Sequence, residues 1–128
     1  MNYLTPEQIL FLHARLIEET GGSHALRDLR LLLSASERPK ASFDSQDLYP
    51  DVFTKAAALM DSLVRNHPFV DGNKRTGVSA SGLYLMRNGH RLVATNLELE
   101  TLALAVAQSR LTVDEIADWL RSHSQPEV

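Results

Sequence analysis

The chain contains no cysteine, which removes disulfides, thiolate metal sites and a cysteine nucleophile together. No apolar run approaches the roughly 20 residues needed to cross a bilayer. The opening stretch Met1-Asn2-Tyr3-Leu4-Thr5-Pro6-Glu7 lacks a basic segment followed by an apolar one, so no secretory signal is expected. An excess of basic residues is missing too: formal net charge is −3, and nucleic-acid-binding domains are usually strongly basic. No Gly-rich P-loop, zinc-ligand spacing or serine-nucleophile elbow occurs, nor any internal repeat. These absences point to a cytoplasmic protein with no membrane partner and no direct nucleic-acid binding.

What is present is an ordinary globular composition. At 128 residues, 44% of them apolar and 23% charged, the chain has the length of one domain. Such a domain buries roughly two thirds of its unfolded surface, enough for its own core.

The hydrophobic period is helical throughout. Thr5-Pro6-Glu7-Gln8 reads as a capping box with proline in the first helical position, followed by Ile9, Leu10, Leu12, Leu16 and Ile17 up to Gly21-Gly22. Asp28 can cap a second helix through Leu29, Leu32 and Leu33 that ends before Pro39. Residues 38–50 hold no sustained period and read as the longest loop, a length often reserved for function. A third helix is expected from about Asp51 to Asn66, with Phe53, Ala57, Met60, Leu63 and Val64 inward, and Pro68 expels His67 from helical geometry. Asn73 can cap a fourth helix running to Asn88-Gly89, whose small residues Thr76, Gly77, Ser79, Ala80, Ser81 and Gly82 suit a central position. Thr95 with Glu98, and Thr112 with Glu115, open two more helices. The expected fold is therefore all-α: one compact bundle of about six helices around a central helix, over residues 1–123, with a frayed tail at 124–128.

One stretch carries chemistry: His67-Pro68-Phe69-Val70-Asp71-Gly72-Asn73-Lys74-Arg75-Thr76. A helix start exposes free N–H groups and about half a positive charge, and phosphate binds there readily. Lys74 and Arg75 oppose that dipole unless an anion is bound. Asp71 beside phosphates suits Mg²⁺, which favours one or two carboxylates with phosphate oxygens and water. Histidine ordinarily titrates near neutrality, so His67 can take the proton of an attacking hydroxyl. Phe69 would anchor the loop in the core. Asn73 can cap the helix or touch metal or phosphate; spacing does not separate the two. The competing reading is a structural turn, since Asp-Gly and Asn are common turn residues. His13, His24, His90 and His123 share no ligand spacing and read as structural or solvent-exposed. Asp114, Glu115 and Asp118 read as a solvated helix face.

His67 to Arg75 resembles the signature of the Fic superfamily, H-P-F-x-[DE]-G-N-G-R-x-x-R, and its Asn-Lys-Arg-Thr ending resembles the Doc (death-on-curing) branch. Tyr3-Leu4-Thr5-Pro6-Glu7, Leu26-Arg27-Asp28, Arg38-Pro39, Tyr49-Pro50, Lys55-Ala56-Ala57 and Ile116-Ala117-Asp118-Trp119-Leu120 are similar to that branch as well. The resemblance implies a toxin of a toxin–antitoxin pair that uses ATP and Mg²⁺. His67 would be the base, Asp71 the metal ligand, and Gly72, Asn73, Lys74 and Arg75 the phosphate cradle. Lys74 replaces the family's second glycine and Val78 its second arginine, positions that serve AMP transfer. Doc-type proteins with the lysine form are kinases, implying γ-phosphate transfer to a threonine of elongation factor Tu and arrest of translation. An AMP transferase and a catalytically idle antitoxin-binding module remain the alternatives. Arg30 and Asp44-Ser45 depart from glycines common in the branch, which bears on target alignment. No Ser or Thr stands four residues before a Glu, so the family's inhibitory helix is missing, and restraint by a Phd-type antitoxin is implied instead.

Overall fold

The computed structural model describes residues 1–127. Six α-helices run in the order α1 (Pro6–Thr20), α2 (Leu29–Glu37), α3 (Val52–Asn66), α4 (Asn73–Arg87), α5 (Asn96–Ala107) and α6 (Val113–Ser122). Four short strands join them: β1 (Ser42–Phe43), β2 (Gln46–Asp47), β3 (His90–Leu92) and β4 (Ser124–Pro126). The all-α reading holds, and the helix starts follow their caps. Thr5, Thr95 and Thr112 each accept from the third helical amide while Gln8, Glu98 and Glu115 reach back to the cap's own N–H. Asp28 and Asp51 accept from two amides each at the starts of α2 and α3. Each such cap contributes about 1 kcal/mol.

The enclosed helix is α3, not α4. Every residue from Thr54 to Val64 is buried, polar Lys55, Asp61 and Ser62 included. Helix α4 packs along it but turns Lys74, Arg75 and Arg87 to solvent, so its small residues mark one close seam. At Gly77 an added Cβ would lie 2.5 Å from Val64 Cγ2 and 3.4 Å from the Met60 carbonyl oxygen. Valine in a helix has little χ1 freedom with which to retreat. Gly77→Ala is therefore expected to destabilise the protein. Overpacking of about 1–3 kcal/mol outweighs the roughly 1 kcal/mol that alanine adds to helix propensity. Urea midpoints of the two proteins measure the difference; a more stable alanine variant would mean that the helices do not meet this closely.

Two regions differ from the sequence expectation. Residues 38–50 form a 3₁₀ turn at Arg38–Lys40 and a hairpin, in which Ser42 pairs with Asp47 and Phe43 with Gln46. Asp44 and Ser45 turn it with φ of 53° and 64°, and two-residue strands are too short to show alternation. Buried Lys55 fixes its base, donating to the Pro39 carbonyl at 3.0 Å and to Asp47 at 3.2 Å. Arg38 ties the same base to α3 through Asp61 at 2.8 Å and Ser62 at 3.0 Å. The second difference is the tail. Rather than fraying at 124, Ser124–Pro126 pairs antiparallel with His90–Leu92, and the preceding His123 stacks on half-buried Trp119 at 3.7 Å. Exposed polar residues gave no sign of that pairing. Among the described residues no helix is long and apolar enough to cross a membrane.

Candidate active site

The motif occupies the joint between α3 and α4. His67 ends α3 with left-handed backbone angles, φ 53° and ψ 61°, a conformation that costs a non-glycine residue about 1–3 kcal/mol. Neighbouring groups hold it there. Arg27 donates from Nε to the His67 carbonyl at 2.6 Å and from Nη2 to the Asn66 carbonyl at 2.7 Å, satisfying the end of α3 with a cation where the helix dipole favours one. The amides of Arg27 and Asp28 donate to the Pro68 carbonyl, and that of Val70 donates to the Ala25 carbonyl. Residues 25–28 thus run strapped along residues 67–70. Phe69 is 1% exposed, the apolar plug beneath the strap.

Asn73 does not cap α4. It is the first helical residue and is buried, with Oδ1 accepting from the Phe69 amide at 3.0 Å and Nδ2 donating to the Phe69 carbonyl at 2.9 Å. Both amide positions are taken because the loop folds back over its own helix start. Nδ2 also lies 3.3 Å from His67 Nδ1. The cap position falls to Gly72 (φ 81°, ψ 15°), which offers no side chain to the first amides. Glycine is required there, since φ is positive and a Cβ would meet Ile17 Cδ1 at 3.1 Å. Every other α-helix among the described residues begins with a side-chain cap.

The bare helix start opens into a cleft of about 520 Å³ lined by His67, Asp71, Gly72, Asn73, Lys74 and Arg75 on one wall and by the Thr20–Gly22 turn on the other. Exposed Lys74 and Arg75 also border a second, more apolar cleft of about 610 Å³ between α4 and α5. All the residues expected at the site from sequence are brought together. Asp71 is exposed and lines this cleft; its Oδ2 accepts from the Ser23 amide at 2.7 Å. Among the described residues no group of three or more His, Cys, Asp or Glu could cage a metal alone. A lone carboxylate beside free amides and two cations instead fits Mg²⁺ arriving with phosphates, and the cleft is large enough for a triphosphate.

Three contributors escape a reading of spacing alone: Arg27, Ser23 and His13. His13 is 2% exposed on α1, stacks on Phe69 with centroids 3.7 Å apart and planes within 5°, and meets the Asp71 carbonyl through Nε2 at 2.8 Å. Its position between Ile9 and Ile17 on an apolar stripe was the available signal. Burial lowers its pKa, and His24 adds to this, while the bond to the Asp71 carbonyl and the Asp71 charge act in the other direction. The neutral imidazole is therefore favoured in the fold. Below the ordinary value of 6.5 the unfolded chain binds a proton that the folded one resists, so stability falls as pH drops through that value. The wild-type melting temperature is expected to decline from pH 7 to 5.5 more steeply than that of His13→Gln. Parallel profiles would mean that His13 titrates alike in both states.

One uncapped helix start thus shares a cleft with an imidazole, a carboxylate and two cations, the groups that anion binding at a helix N-terminus uses. The chain belongs to the Fic/DOC family, whose sequence model matches residues 3–85. It is 49% identical over 74 residues to "Toxin Doc" of Mycolicibacterium smegmatis (strain ATCC 700084 / mc(2)155), a match spanning 58% of this chain and 57% of that protein. It is 31% identical over 121 residues to "Protein kinase doc" of Escherichia phage P1, a match spanning 94% of each.

Proposed function

We propose that the protein is the toxin of a toxin–antitoxin pair and acts as a Mg²⁺/ATP-dependent kinase on a protein threonine. The observation that carries this reading is the start of α4. Its first amides have no side-chain cap, and they open into a cleft lined by His67, Asp71, Lys74 and Arg75. The likeness to a phage protein kinase across 94% of both chains supports the choice of phosphoryl transfer.

Bound ATP would supply the phosphoryl group, and Mg²⁺ would neutralise its charge. The chain's own work is positioning and electrostatics, which is most of what phosphoryl transfer needs. Backbone amides at Gly72 to Arg75 hold phosphate oxygens, with Lys74 and Arg75 adding charge. Asp71 would hold the cation, its carboxylate steadied by the Ser23 amide at Oδ2. His67 accepts the threonine hydroxyl proton. The Asn73 contact favours the tautomer with Nδ1 as acceptor. At 3.3 Å it lies beyond the usual hydrogen-bond range, so it holds that tautomer weakly and leaves Nε2 able to serve as the base.

The target follows from the resemblance: a threonine of elongation factor Tu, with arrest of translation as the consequence. The partner is a Phd-type antitoxin whose disordered tail folds on binding. Incubation with purified elongation factor Tu and ATP labelled at either the α or the γ position tests the reading. Label from the γ position alone is expected. Label from α alone would make the protein an AMP transferase, and none from either would leave a binding module.

A further inference from the structure

We infer that His13 is a positioning residue for Asp71: together with the Ser23 amide it fixes the angle at which that carboxylate meets a divalent cation. The inference rests on the reading of Asp71 as the cation's protein ligand. Asp71 is gripped at both ends, and both grips come from α1 and the turn that follows it. At the backbone end, His13 Nε2 lies 2.8 Å from the Asp71 carbonyl oxygen. A carbonyl only accepts, so Nε2 carries hydrogen in either protonation state. At the side-chain end, the Ser23 amide donates to Oδ2 at 2.7 Å. The Thr20–Gly22 turn closes over the carboxylate so tightly that a Cβ on Gly22 would sit 3.3 Å from Asp71 Cβ and Oδ2.

The imidazole itself has no room to swing. Its ring lies flat on Phe69, and Gly72 passes close enough that a Cβ there would be 3.5 Å from His13 Cδ2 and Nε2. A leucine would complete the apolar stripe of Ile9 and Ile17 without burying a polar ring. What leucine cannot do is anchor the peptide that joins Asp71 to Gly72. That peptide sets the direction in which the Asp71 side chain leaves the backbone.

His13→Phe keeps the stacking area and deletes the donor, whereas His13→Gln restores an N–H at similar reach. Three readouts separate positioning from bulk stability: melting temperature, the Mg²⁺ concentration for half-maximal transfer, and Mg²⁺ titration of the ADP complex followed by the Asp71 and Gly72 amide resonances. In His13→Phe the Mg²⁺ requirement in both titrations should rise by about tenfold or more, the usual range for groups that orient a metal's ligands. ADP affinity without divalent cation should change little, and His13→Gln should recover most of the loss. A wild-type Mg²⁺ requirement in a folded His13→Phe, or equal losses of nucleotide and Mg²⁺ affinity, would overturn the inference while leaving the kinase reading intact. If wild-type protein with ADP shows no Mg²⁺ response at Asp71, the metal-ligand reading fails and the inference falls with it.

Discussion

His67→Ala should lower phosphoryl transfer by about 10²- to 10⁴-fold, the range a positioned general base contributes, while ATP binding persists. The separation is expected because the groups proposed to face the phosphates are backbone amides and cations at the start of α4, none of which is held by the imidazole. His67 itself is exposed, and its main-chain carbonyl, rather than its ring, receives the Arg27 bond that secures the turn. Truncation is therefore expected to remove the proposed base and leave the fold standing. Single-turnover rates at saturating ATP, with a direct binding measurement, check both halves. Unchanged turnover would remove His67 from the chemistry, and lost ATP binding would recast it as a nucleotide ligand.

Asn73→Leu should lower stability and activity together. The Asn73 side chain satisfies both the amide and the carbonyl of buried Phe69. An unsatisfied buried polar group costs about 1–3 kcal/mol, so losing both partners should destabilise the protein by roughly 2–4 kcal/mol, water recovering part of the deficit. The loop between His67 and Asp71 would then lose its internal brace, and transfer should fall even at temperatures where the variant is folded. Denaturant midpoints and transfer rates measured side by side test this. Reduced nucleotide affinity with unchanged stability would instead make Asn73 a direct ligand of the phosphates.

Much of the fold was legible because caps are local. Thr5, Asp28, Asp51, Thr95 and Thr112 each announce a helix through residues at most three positions away, and each start is where the side chain says it is. The site was legible for a related reason: its members lie within ten residues, so chain connectivity alone gathers them. The features that escaped depend on distant pairing. Enclosure of α3 follows from what packs around it, which its own period does not reveal. The union of Ser124–Pro126 with His90–Leu92 joins short polar strands over 30 residues apart. Asn73 looked like a cap because its type suits one, yet the fold-back of Phe69 claims both ends of its amide. His13 looked like a stray histidine because its partner, the Asp71 carbonyl, lies 58 positions away.

The central claim is that a nucleotide's phosphates rest on the opening amides of α4. Titration of ¹⁵N-labelled protein with ATP and Mg²⁺ tests it most directly. The largest shifts should fall on Asp71, Gly72, Asn73, Lys74 and Arg75, and Lys74→Glu should weaken them. Saturable binding that leaves those five amides unmoved and perturbs another face of the bundle would contradict the account.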